Sequence, residues 1–169
     1  AVLSISVSSA KPVSSAGSTG GQSSGPHDTG NQTMSSEEAQ ILSALNAARG
    51  VARTCGGVRF EAAAPVTWNG YLAAAARAHA ADMAARRFFD HVNPDGATPA
   101  RRVEKAGYTA WTEVAENIAA GYTVHDVIQG WLDSPSHCAT LTVDESDISE
   151  SSQTCRSDRG CTTPNRRCR

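Results

Sequence analysis

From Ser35 onward the hydrophobic positions recur with the three-to-four-residue period of amphipathic helices. In "SSEEAQILSALNAARGVAR" the stripe is Ile41, Leu45, Ala48 and Ala52. Ser35 and Glu38 form an S-x-x-E capping box ahead of it, with acidic residues at the positive end of the helix. The glycines of "CGG" at 55–57 are expected to stop this helix. A second stripe, Leu72, Ala76, His79, Met83 and Arg87, runs through "TWNGYLAAAARAHAADMAARRFF". Its alanine density implies close approach of helix to sheet. His79 lies on that packed face and reads as a core histidine bonded to a carbonyl or carboxylate rather than as a ligand. "VNPDGATP" supplies turn chemistry, and "TPARRVEKAGY" reads as a short helix with Pro99 in its first turn and Gly107 at its stop. "TEVAENIAAGY" is strand or irregular. A last helix is expected in "TVHDVIQGWLDSPSH", with Val124, Val127, Ile128, Trp131 and Leu132 as its stripe. Helices with a few short extended pieces make this an α+β domain, and no internal repeat is visible.

The two flanks lack such periodicity. Residues 11–33 are mostly Ser, Gly, Thr and Pro, a composition that cannot offset its ordering entropy. His27 is read as solvated within it. The opening "AVLSISVSSAK" has the texture of a signal peptide's apolar end and small-residue cleavage zone, the alternative being an arbitrary boundary. After Leu141 the chain turns to "TVDESDISESSQTCRSDRGCTTPNRRCR", nearly without apolar positions beyond Val143 and Ile148. This reads as a polar, disordered tail, cut first by proteases at Arg156 or Arg159. The expected division is a signal remnant and flexible leader at 1–33, a folded domain at 34–141 and a tail at 142–169.

Composition changes the picture in a few places. A chain of 169 residues, 40% apolar, has room for one domain with a core. A formal net charge of −2 gives no electrostatic case for nucleic acid or for an anionic membrane. No run approaches the roughly 18 apolar residues of a membrane helix. Five cysteines leave one unpaired even if two bridges form, and the spacing of Cys155, Cys161 and Cys168 fits no zinc pattern. Candidate chemistry centres on "FFDHVNPDG", which sets His91 behind two aromatics and ahead of a turn. Metal ligand, catalytic base and packed histidine are all open there. Neither H-E-x-x-H nor paired C-x-x-C occurs, and a G-x-S-x-G elbow is lacking. Asp90, Glu113 and His125 read as solvated charges.

Taken in order, "ILSALNAARG", "PVTWNGYLAAAARAHAADMAARRFFDH", "GATPARRVEKAGY", "AENIAAGY" and "WLDSPSHCATL" resemble the bacterial branch of the CAP superfamily over residues 37–141. These are secreted proteins similar to cysteine-rich secretory proteins, antigen 5 and plant pathogenesis-related proteins. The resemblance implies a three-layer α-β-α sandwich with a small antiparallel sheet, and export from the cell. It further implies a bridge between Cys55 and Cys138, two buried thiols being the alternative. The relatives continue past this point with sheet-forming strands that this chain lacks, so C-terminal sheet strands are expected to be missing, as from a shifted frame or a truncated product.

Eukaryotic relatives carry two histidines and two glutamates around a cleft, resembling a divalent-metal site. His91 corresponds to the first histidine, and Glu116 to the glutamate of the G-E-N motif, although Ala115 replaces its glycine. Ser134 stands where the second glutamate would be, and the stretch carrying the second histidine is lacking. His137 of "SPSH" is the bacterial branch's own histidine. His91, Glu116 and His137 are thus the cleft candidates, either as a polar cluster or as ligands to Zn²⁺ with an open fourth position. The resemblance favours a non-catalytic extracellular binding module for a lipid, a sterol or a cell-envelope component. The alternative is a metal-dependent hydrolase of peptides or cell-envelope material.

Overall fold

The computed structural model describes residues 2–10 and 32–143. Helix α1, Ser36–Arg49, begins at the anticipated capping box: Ser35 Oγ accepts from the Glu38 N–H, and Glu38 accepts from the Ser35 N–H at 2.7 Å. Glu38 also reaches across to Arg77 on helix α2, with Arg77 Nε donating at 2.6 Å, so one side chain both caps a helix and ties it to its neighbour.

Helix α1 ends at Gly50, earlier than its stripe implied. The glycines of "CGG" instead turn a hairpin, with strand β2 at Arg53–Cys55 and strand β3 at Val58–Phe60. Gly56 and Gly57 take φ of 56° and 87°, the left-handed pair that a tight two-residue hairpin turn requires. Turn chemistry, not helix termination, is what these glycines encode.

Helix α2, Gly70–Arg86, starts from Asn69, whose side chain accepts from the N–H groups of Tyr71 and Leu72. Ala73, Ala75, Ala76, His79 and Met83 are its buried side chains, and the helix lies against strand β1, Val2–Ala10. Small side chains let it come close, as its alanine density implied. Helix α3, Pro99–Lys105, and strand β4, Trp111–Ala120, follow. The last expected helix proves to be two: α4, Val127–Leu132, and α5, Pro135–Thr142. Pro135 cannot donate to a continuing ladder, so the helix breaks before it and restarts with proline in its first turn.

Strand β1 pairs antiparallel with β4, from Val2 opposite Ala120 to Ala10 opposite Trp111. These residues fall in the stretch expected as a signal remnant and leader, and here they pair with β4. The overlooked signal is the alternation of Leu3, Ile5 and Val7 with Ser4, Ser6 and Ser8. Residues 11–31, with His27, lie outside the described residues.

The core gathers Ile41, Leu45 and Ala48 of α1, Ala119 of β4, Val127, Ile128 and Trp131 of α4, and Leu141 of α5. Trp131 Nε1 donates to the Ile118 carbonyl at 3.1 Å, satisfying its one polar atom inside this cluster. Cys55 and Cys138 are joined by a disulfide that fastens α5 to the hairpin, with Cα atoms 5.6 Å apart. Arg49, which no stripe singled out, is buried and donates to the carbonyls of Ala64, Leu141 and Val143. Thr142 is likewise buried, bonding the Cys138 carbonyl at 2.9 Å. Helix α5, with its cap at Val143, continues two residues beyond Leu141. Residues 144–169, with the expected protease sites and Cys155, Cys161 and Cys168, lie outside the described residues.

Candidate functional site

Four elements converge on one carboxylate. Helix α2 ends with Arg87 in the left-handed conformation, φ 56° and ψ 49°, and the Phe88 N–H closes back onto the Met83 carbonyl. That reversal lays Phe88 near the His79 ring, with centroids 5.9 Å apart, and sends the chain over the helix end towards His91. Glu116 comes from the middle of β4 and Arg102 from the second turn of α3. Pro99, Arg102, Val103 and Ala106 share one face of that helix, a spacing that could have marked Arg102 as inward-facing. Sequence reasoning passed over Arg102.

The Glu116 side chain is only 2% exposed, so its charge needs compensation close at hand. Arg102 supplies it: one guanidinium nitrogen donates to both carboxylate oxygens, at 2.9 and 2.8 Å. The other nitrogen, Nη1, donates to the His91 carbonyl at 2.8 Å, Asn93 Oδ1 at 2.6 Å and the Ala97 carbonyl at 3.0 Å. One arginine thus closes the 91–97 loop against β4. Asn93 passes the network on, donating to Asp82, which pairs with Arg86 one turn along α2.

His91 Nδ1 lies 2.9 Å from Glu116 Oε1. An ionised carboxylate only accepts, which places the proton on Nδ1. His91 Nε2 makes no hydrogen bond among the described residues, and the side chain is 45% exposed. His79 is the buried counterpart. Its Nε2 bonds the Asp90 carbonyl at 3.0 Å and stands 3.8 Å from Glu116 Oε1, while Nδ1 is buried without a partner. Burial lowers the His79 pKa; Glu116 opposes that shift and the Arg102 charge reinforces it. The ring is held neutral with its proton on Nε2, the core histidine that its position implied.

His137 stands beside this network. Its Nδ1 bonds Ser134 Oγ at 2.8 Å, and its carbonyl accepts from Asn117 Nδ2 at 3.1 Å. Its pKa is lowered by burial and then by the charge of His91, so the two imidazoles feel one another. The structure joins His91 directly to Glu116, whereas His137 is tied to Ser134 and, through its carbonyl, to Asn117, the residue after Glu116. Asp90, Glu113 and His125 are exposed, as expected for solvated charges. Ser134, noted in the sequence for lacking a carboxylate, is the partner that orients His137.

The zinc reading can be tested on this donor set. Among the described residues no three His, Cys, Asp or Glu side chains are grouped to hold a metal ion. A metal ion on Glu116 would add a second positive charge beside the buried Arg102 guanidinium that already neutralises it. The donors do not fit the ion as they stand.

A family model, CAP, described as the Cysteine-rich secretory protein family, matches residues 42–148, more than half of the chain. No curated protein and no solved structure matches it. No described helix is long and apolar enough to cross a membrane.

Proposed function

Because the chain belongs to the CAP, or cysteine-rich secretory protein, family, we propose that it is an exported, non-catalytic binding module of the bacterial branch. Its polar cleft is lined by His91, Glu116 and His137. One observation carries this reading. The Glu116 carboxylate spends both oxygens on Arg102 and one of them also on His91. A group so committed holds a cleft in shape and is poorly placed to move protons for a hydrolytic step.

What remains for a ligand is the half-exposed His91 imidazole, with Phe89 and Val92, its near neighbours in the chain, 56% and 43% accessible. Large apolar residues around a polar tip suit an amphipathic ligand, such as a lipid or a lipid-bearing envelope component. Export is supported by the Cys55–Cys138 bridge, which persists in oxidising compartments. It does not lean on the first ten residues, which the sheet uses. The architecture proposed is a three-layer sandwich; contacts of α2 with β1 and of α3 with β4, and a separate cluster of α1, α4 and α5 around Ala119 of β4, support it.

The test is co-sedimentation of the protein with purified cell-wall sacculi and with phospholipid vesicles, alongside assay of soluble fragments released. Retention without release is expected, weakened about tenfold by His91→Ala. Fragment release that disappears in His91→Ala would establish the hydrolase instead.

A further inference from the structure

We propose that Arg102 is the resident cation of this cleft and that its guanidinium keeps divalent metals off Glu116. The carboxylate and the guanidinium are 2% and 9% exposed, so neither charge is shared with water. The fork is also immobilised. While one nitrogen bridges the two carboxylate oxygens, the other is bonded to the His91 carbonyl, Asn93 Oδ1 and the Ala97 carbonyl. Swinging it aside would strip a buried carboxylate of its counter-charge and three acceptors of their donor at once.

A metal ion would need a Glu116 lone pair at about 2 Å. Guanidinium Nη2 already sits 2.8 to 2.9 Å from both oxygens. The ion would therefore bring a second positive charge onto a carboxylate neutralised from within. The same arginine fixes the His91 backbone, so the imidazole is positioned without a metal to hold it. The inference stands whether the cleft binds a ligand or turns one over.

Full-length protein with ¹⁵N-labelled histidine allows a local readout, blind to any zinc taken up elsewhere on the chain. Long-range ¹H–¹⁵N spectra would follow the His91 and His137 ring nitrogens during titration with Zn²⁺. No coordination shift is expected at either ring in the wild type or in Arg102→Lys, which keeps the charge. Arg102→Gln, which removes the charge but keeps an amide donor, should bring a Zn²⁺-dependent shift at His91, at an affinity at least about tenfold tighter. A wild-type His91 shift that Glu116→Gln abolishes overturns the proposal, as does a folded Arg102→Gln that stays silent. If Arg102→Gln fails to fold, the wild-type titration decides alone.

Discussion

Glu116 is a carboxylate taken almost wholly out of water and returned to solubility by its neighbours, chiefly Arg102. Pairs of this kind add little over a well-packed apolar pair, but breaking one from a single side strands the other charge. Glu116→Gln, similar in volume, should therefore cost about 3–5 kcal/mol in urea unfolding at neutral pH. A loss under about 1 kcal/mol would mean that Arg102 finds water when its partner is gone. The histidines set a separate, pH-dependent term. His79 and His137 both have folded pKa values below the ordinary 6.5, primarily through burial. Below that pH the unfolded chain takes up protons that the folded protein refuses. Stability is thus full above about pH 6.5 and falls as the pH drops, with a slope of up to about 1.4 kcal/mol per unit from His79. Asp82 is held below 3.8 by its bond to Arg86, so its loss begins only in stronger acid. Urea midpoints between pH 7.5 and 5 should fall in the wild type and fall less in His79→Gln, whose amide can still bond the Asp90 carbonyl.

Local signals made most helices legible. The capping box, the alanine-rich stripe, and the Pro99 and Gly107 punctuation are short-range features whose physics is complete within a few residues. Legibility failed where partners are distant. "CGG" carries the same glycines whether it caps a helix or turns a hairpin, and only the β2–β3 pairing decides. Arg102 and Arg49 look like ordinary surface arginines until the carbonyls and carboxylate they serve arrive from elsewhere in the chain. His91 with Glu116 was readable through the resemblance, not through spacing. Two elements invite direct tests. The Cys55–Cys138 bridge spans 83 residues, and removing that constraint from the unfolded chain should cost about 4–5 kcal/mol in the chain-entropy model. The double variant Cys55→Ser, Cys138→Ser should lose that much by urea unfolding; an unchanged midpoint would show that core packing alone retains α5. At the end of α2, Arg87 holds a left-handed conformation that glycine adopts without penalty. Arg87→Gly should raise stability by about 0.5–1 kcal/mol, or leave it unmoved if the loop already relaxes that residue.

On the scale of the whole molecule, the sheet depends on its shortest supply of partners. Among the described residues β4 pairs with β1 and with no other strand. β4 carries Glu116 into the cleft, Ala119 into the core and Asn117 to α5, so the strand that orders its backbone also orders the site. A lone strand between helices would keep its side-chain contacts and lose its ladder, at a net cost near 1 kcal/mol for each hydrogen bond. Over a pairing that runs from Val2 to Ala10 this reaches several kcal/mol, comparable with the whole stability of a domain this size. Deleting residues 1–10 should therefore lower the urea midpoint more than any single side-chain change described above. It should also leave an open β4 edge that pairs with a second copy, visible as dimer by light scattering. In the intact chain, the amides of Val2–Ala10 that donate to β4 should exchange with solvent about as slowly as their partners in that strand. Fast exchange across those nine residues, with a deletion variant that stays monomeric and equally stable, would show that the sheet is completed in some other way. The opening segment would then be free to serve as the export signal that its sequence resembles.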